Sequence, residues 1–301
     1  MNLINFTFRM AFNVQTFKTR ALTAVVFAVV MLAGLFLNQW SFFILFSIIH
    51  VGCWLEYQKL LGLIDADYQQ INPFHKYGVI LLGWGFMLWM ASAQWQIGSI
   101  TLHEGGWWLL LIMAIVLPIT EVLFSKQFQL KNIGYSLLGL AYVSLSWGFM
   151  IDLYSMGASY AGVLSGANIG WLFPVILIAS IWINDTMAYI VGSFIGKTPF
   201  SSISPKKTWE GTIGGAILAV ATVTLVGYFV ANLRDVQSLL VISGIAAVIG
   251  TAGDLLESKL KRMAGVKDSG SFMPGHGGFL DRFDSLLLAT PFVWLYLKLF
   301  L

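Results

Sequence analysis

Nine apolar stretches recur along the chain, near residues 22–37, 40–56, 77–95, 107–124, 133–151, 171–195, 211–231, 239–257 and 283–300. A helix rises about 1.5 Å per residue, so about 20 apolar residues cross a hydrocarbon core of about 30 Å. Strand-like alternation of apolar and polar positions does not recur, which argues against a barrel. The first two runs are parted only by Asn38 and Gln39, which predicts a tight helical hairpin. Trp40, Trp107, Trp108 and Trp171 stand at the starts of runs, where an indole suits the headgroup level.

Composition agrees with the pattern. The chain of 301 residues is 58% apolar and 10% charged, with mean hydropathy +0.80. Soluble domains carry about 25% charged residues, and so little charge cannot cover a water-facing surface of this size. The lone cysteine, Cys53, excludes an internal disulfide framework. Arg9, Lys18 and Arg20 precede the first run with no small-residue cleavage pattern after it, so a retained signal-anchor is expected.

The basic residues orient these spans. Fifteen of the seventeen Lys and Arg fall in the N-terminal segment and in the alternate loops 57–76, 125–132, 196–210 and 258–282; the opposite loops hold Arg234 alone. Basic residues mark the cytoplasmic side. The expected architecture is an all-α polytopic integral membrane protein of about nine transmembrane helices, N-terminus cytoplasmic and C-terminus outside. Residues 1–170 would supply N-terminal transmembrane helices and 171–301 a catalytic transmembrane region with two cytoplasmic motif loops, in one continuous bundle.

Acids inside apolar runs are costly, about 2.5–3.5 kcal/mol each at a helix centre. Glu121 lies near the cytoplasmic end of its run and is expected to reach the interface. Asp185, with Tyr189 at i+4 and Gly192 at i+7, marks a polar face suited to the bundle interior. Asp254, Glu257, Ser258 and Lys261 share one helix face, as do Asp281, Asp284 and Ser285 at the start of the last helix. Two consecutive helices thus present carboxylates at the cytoplasmic boundary. Convergent acids backed by basic residues suit a hard divalent cation that keeps sites for phosphate oxygens. The turn between them, Pro274 to Gly278, carries three glycines whose backbone N–H groups can approach an anion. The other loop presents Ser204, Lys206, Lys207 and Thr208 just before a helix start, a second phosphate-type feature. GSFIGKT, residues 192–198, is not a P-loop, because three residues separate its glycines where four are needed.

Residues 258–284 resemble the signature of the phosphatidate cytidylyltransferase (CDP-diacylglycerol synthase) family: Ser258, Leu260, Lys261, Arg262, Lys267, Asp268, Gly270, Pro274, His276, Gly277, Gly278, Asp281, Arg282 and Asp284. Met273 departs from it by an apolar exchange. A second block, Asn184, Asp185, Ala188, Tyr189, Gly192, Gly196, Lys197, Ser204, Pro205, Lys207, Thr208, Glu210 and Gly211, extends the similarity, as does Gly253-Asp254 with Glu257-Ser258. Before residue 170 there is only Trp54-x-Glu56.

The resemblance implies transfer from CTP to phosphatidic acid, giving CDP-diacylglycerol and pyrophosphate in phospholipid biosynthesis, with Mg2+ and a monovalent cation such as K+. It implies a homodimer in the inner, cytoplasmic membrane with its active site on the cytoplasmic side, and no nucleic-acid partner. Asp254 and Asp281, with Asp284, are the expected metal ligands; Lys267, Asp268 and Arg282 join Asp254 and Asp281 in catalysis. Ser204, Lys207, Thr208, Ser258, Lys261, Arg262, Gly275, His276, Gly277 and Gly278 are expected to bind substrate, with Asn184, Asp185 and Tyr189 in support. Alternatives are a CTP-dependent transferase acting on another lipid phosphate and an ion-coupled transporter.

Overall fold

The computed structural model describes residues 14–125, 129–165, 169–272 and 277–301. Each apolar run is carried by a helix. Helix α1 spans Val14–Phe36 and α2 Gln39–Ile64. The hairpin between them is set by Asn38, whose side chain accepts from the N–H groups of Trp40 (2.9 Å) and Ser41 (3.0 Å), while Ser41 Oγ accepts from Asn38 N–H. That reciprocal cap satisfies donors which a helix start otherwise leaves open. A short helix α3, Ala66–Gln69, leads to α4, Pro73–Trp89, capped by Asn72 with proline in its first turn. A two-residue hairpin, β1 (Gln96–Ile97) and β2 (Ile100–Thr101), precedes α5, Leu102–Phe124.

Helix α6, Leu130–Gly139, runs through a π turn at Leu140–Ser144 into α7, Leu145–Ser165, so much of the expected 152–170 loop is helical. Helices α8 (Leu172–Ile195), α9 (Trp209–Phe229), α10 (Val236–Met263) and α11 (Leu280–Phe300) complete the chain. By length and composition, seven helices among the described residues are able to cross a membrane; the apolar part of α1 and the 17-residue α4 are shorter.

Burial separates the hub from the periphery. In α2, 61% of the apolar window is buried, with Phe42, Phe46, Trp54 and Leu60 fully enclosed, against 11% in α5. Large apolar side chains on α5, such as Ile115 and Val122, point outward, as a lipid-facing helix requires. The early and late helices interlock: Phe149 stacks on Trp294 at 3.9 Å, Phe27 and Trp147 flank Phe283, and Ser146 Oγ donates to the Leu287 carbonyl.

Glu121 stands on the wall of a polar cavity of about 720 Å³ at the end of α5, with Asp67, Gln70, Asn72 and Asn132. It is 7% exposed and accepts from Ser125 Oγ at 2.8 Å, while His75 Nδ1 lies 2.8 Å from its other oxygen. Helix α4 brings His75 to it, and Ser136 of α6 lies 2.7 Å from the other ring nitrogen of His75.

Candidate active site

The C-terminal end of α10, the first turn of α11, the 196–208 loop and the C-terminal half of α2 meet at one end of the bundle. On α10, Asp254 and Glu257 are one turn apart, and Asp284 of α11 joins them. One oxygen from each lies within 4.8 Å of the other two. Small residues permit this approach: a side chain at Gly253 would strike the Asp284 carbonyl and Ser285. Glu257 is fully buried; among the described residues neither of its oxygens has a hydrogen-bond partner of proper geometry, although Lys261 Nζ lies 2.5 Å from Oε2. Lys207 reaches across from the 196–208 loop to pair with Asp254, and Ser258 Oγ lies 3.4 Å from the same carboxylate.

Asp281 sits differently. Its Oδ1 accepts from Lys261 Nζ at 2.6 Å, and its Oδ2 accepts from the N–H groups of Ser269 (2.9 Å) and Gly278 (2.7 Å). Gly277 adopts φ +85°, and a Cβ there would run into Asp281, so this turn requires glycine twice over. Lys267 and Asp268 are exposed on the preceding segment, and Arg262 is exposed on α10. Arg282 points outward from α11. Gly275 and His276 lie outside the described residues.

Glu56 is the residue that the sequence underweighted. It is almost buried on α2, yet it accepts from the N–H groups of Phe279 (2.9 Å) and Leu280 (2.9 Å) and lies 2.8 Å from Ser269 Oγ. Helix α11 has no side-chain cap of its own, so Glu56 caps it from more than two hundred residues away. Side chains at Gly270 or Gly278 would collide with its carboxylate. The Ser269 hydroxyl lies also 2.9 Å from Asp281 Oδ2, so one proton is shared between two acids. A visible signal existed: Gly278-Phe279-Leu280 opens a helix with none of the usual capping residues.

The 196–208 loop is fastened by Glu210, whose carboxylate accepts from Thr198 Oγ1 (2.8 Å) and from the Lys197 and Thr198 N–H groups. Thr208 caps α9, accepting from Gly211 N–H at 3.1 Å. Glycines 192, 211 and 215 let α8 and α9 touch at Ala188. Between the loop, α8 and α10 lies a cavity of about 540 Å³ lined by Asn184, Asp185, Tyr189, Ser204, Lys207, Thr208 and Asp254. Asp185 therefore opens into a cleft rather than packing in the interior, and Tyr189 beside it is 77% exposed. Asn184 is buried, and its Oδ1 has no partner among the described residues.

Four acids, Asp254, Glu257, Asp281 and Asp284, thus share two paired lysines, Lys207 and Lys261. Carboxylates this close, one of them fully buried, repel when ionised unless a cation intervenes. The three acids of the cluster offer hard oxygen donors, and Glu257 Oε1 has no partner among the described residues, which fits a divalent ion.

Fold and site together define a polytopic membrane protein that gathers acids, lysines and a polar cavity at one end of an apolar bundle. The sequence model of the Cytidylyltransferase family matches residues 18–300, and the chain belongs to that family. Similar curated proteins include the phosphatidate cytidylyltransferases of Bacillus subtilis, 31% identical over 94% of this chain and 98% of that protein, and of Staphylococcus saprophyticus, 30% identical over 91% and 96%. That of Staphylococcus haemolyticus is 37% identical over 60% of this chain and 65% of its own length.

Proposed function

We infer that this chain is a phosphatidate cytidylyltransferase, making CDP-diacylglycerol and pyrophosphate from CTP and phosphatidate. The observation that carries the reading is the cluster of Asp254, Asp284 and the buried Glu257 beside a lysine- and hydroxyl-lined cavity, in a chain of this family. An oxygen of the lipid phosphomonoester attacks the α-phosphorus of CTP. A new P–O bond forms, the bond to the β-phosphate oxygen breaks, and its electron pair leaves with pyrophosphate. The second phosphate pKa is about 6, so the nucleophile is already ionised and needs no strong base.

The protein's task is to bring two polyanions together and hold them in line. Lys207 and Thr208 stand on the cavity wall where α9 begins, and the positive end of that helix favours phosphate. Lys261, Lys267, Arg262 and Arg282 supply positive charge around the second loop. Asp281 and Glu56 fix the turn and the first turn of α11, and so decide where Asp284 points. We assign Mg2+ to Asp254, Glu257 and Asp284; when bound it neutralises phosphate oxygens and the leaving pyrophosphate. Asp281 joins that set only by releasing Lys261, and K+ is a second candidate for the same centre. Nine spans with the site on the cytoplasmic side agree with the distribution of Lys and Arg. The homodimer rests on the family resemblance, and a single-chain mass in detergent would remove it.

The purified chain in detergent, given labelled CTP, phosphatidate and Mg2+, is expected to form CDP-lipid and pyrophosphate in equal amounts and to stop on chelation. In sealed vesicles, CTP on the cytoplasmic face alone should support turnover. Conversion of a different lipid phosphate in place of phosphatidate would move the substrate assignment. Metal-dependent ion flux without CTP turnover would overturn the reading.

A further inference from the structure

A second cavity, of about 310 Å³, lies between α1, α2 and the first turn of α11. Its described lining is apolar except for Thr23. Val26, Val30 and Ile48 are each more than half exposed, so its walls open towards the bilayer. Phe272 and Phe279 roof it at the site end, their ring centroids 4.2 Å apart, and Phe283 closes the inner side.

This groove and the acid site are built on the same helical turn. Phe279 and Phe283 are one turn apart on α11 and face the groove, while Asp281 and Asp284 from that turn face the polar site. Phe279 is anchored twice: its N–H donates to Glu56 at 2.9 Å, and its ring fills the space left by the missing side chain of Gly52. The two surfaces lie on opposite sides of the first turn of α11, so a lipid whose headgroup bends past that helix start towards the acids would bring a hydrocarbon tail to the groove.

We propose that this groove receives one acyl chain of the lipid phosphate substrate. The proposal rests on the transferase reading above and adds the place where the tail is held. Lipid tails are as apolar as leucine, so moving a chain from bilayer to groove adds little affinity. The groove acts through position: a seated chain fixes where the headgroup phosphate stands relative to the acids and lysines. Displacement by about 1 Å costs on the order of 10²-fold in rate.

The test replaces Val30→Trp and Ile48→Trp, filling the groove without touching the polar site. For a long-chain phosphatidate such as the dioleoyl form, kcat/KM should fall on the order of 10- to 100-fold. For dihexanoyl phosphatidate, whose chains are too short to depend on the groove, it should hold, as should the KM for CTP. Ile115→Trp on lipid-facing α5 is the control and should change neither substrate. Equal loss with both lipids, or loss with neither, overturns the groove assignment. Should the tryptophan variants not fold, a phosphatidate with a photoreactive acyl chain on the wild-type protein decides the matter. Labelling of α1, α2 or Phe272 supports the proposal, and labelling confined to other helices overturns it. Failure of the wild type on both lipids would sink the transferase reading, whereas turnover without discrimination by the variants sinks only the groove.

Discussion

Glu121 and Glu257 are both buried carboxylates on membrane helices, and their surroundings could hardly differ more. Both oxygens of Glu121 are taken, by His75 and Ser125, and the chain of contacts continues from His75 Nε2 to Ser136 Oγ (2.7 Å) and on to the Tyr68 hydroxyl (3.1 Å). Each oxygen of Glu121 thus has a partner, and a satisfied polar network adds rigidity and specifies packing. Glu257 instead faces Asp254 and Asp284, with a lysine on one side and no well-formed hydrogen bond. An arrangement that leaves carboxylates mutually opposed has value only when something positive or reactive enters. Completeness of partners, more than burial or residue type, separates the structural acid from the functional one.

The largest effects should follow from the open cluster. Asp254→Asn and Asp284→Asn are each expected to lower turnover on the order of 10²–10³-fold, the usual consequence of removing a group that stabilises charge in the transition state. Thermal stability should hold or rise, since one of several repelling charges has gone. Initial rates and melting curves on the same preparations check this. Near-normal rates in both variants would remove the acid cluster from the chemistry and collapse the comparison.

How far the sequence could show this depends on distance along the chain. The helices were legible because an apolar run of spanning length announces itself without any partner. Asp254 and Glu257 were legible on one face of α10 because i and i+3 are neighbours on any helix. The first turn of α11 was only half legible. Face arithmetic allows Asp281 and Asp284 together, but the rotation of α11 against α10 sends Asp284 to Asp254 and turns Asp281 to Lys261 and Ser269. Glu121 sits at a helix end, where reaching the interface is the simple expectation; only packing against α4 reveals that His75 holds one of its oxygens there. Glu56 was hidden most completely, because its role as a cap exists only once α2 and α11 are side by side.

Glu56 therefore stands between the two extremes, closed in its bonding yet attached to the site. Glu56→Gln keeps the shape and removes the charge that faces the start of α11. Turnover should fall about 10- to 100-fold, the range seen when a group that orients metal-binding residues is altered. The loss should appear in kcat more than in the KM for CTP, because the residue places Asp281 and Asp284 and does not line the nucleotide cavity. A melting temperature that collapses while the rate per folded molecule is unchanged would return Glu56 to the purely structural class.

The smallest effect on chemistry is expected at Glu121. Glu121→Gln leaves His75 beside an amide in place of a carboxylate and weakens one buried and one half-buried hydrogen bond, which should cost about 1–3 kcal/mol of stability. Ser125→Ala removes one half-buried bond to the same carboxylate and should cost about 1 kcal/mol or less. In neither variant should the rate per folded molecule change, because the network shares no residue with the acid cluster or its cavity. Denaturant titration in detergent alongside turnover tests the pair. A fall in rate at full folding would mean that the two networks are coupled through α2, whose Gln58 holds α4 at the Lys76 carbonyl two residues beyond Glu56. The clean division between closed and open acids would then have to give way to one continuous site.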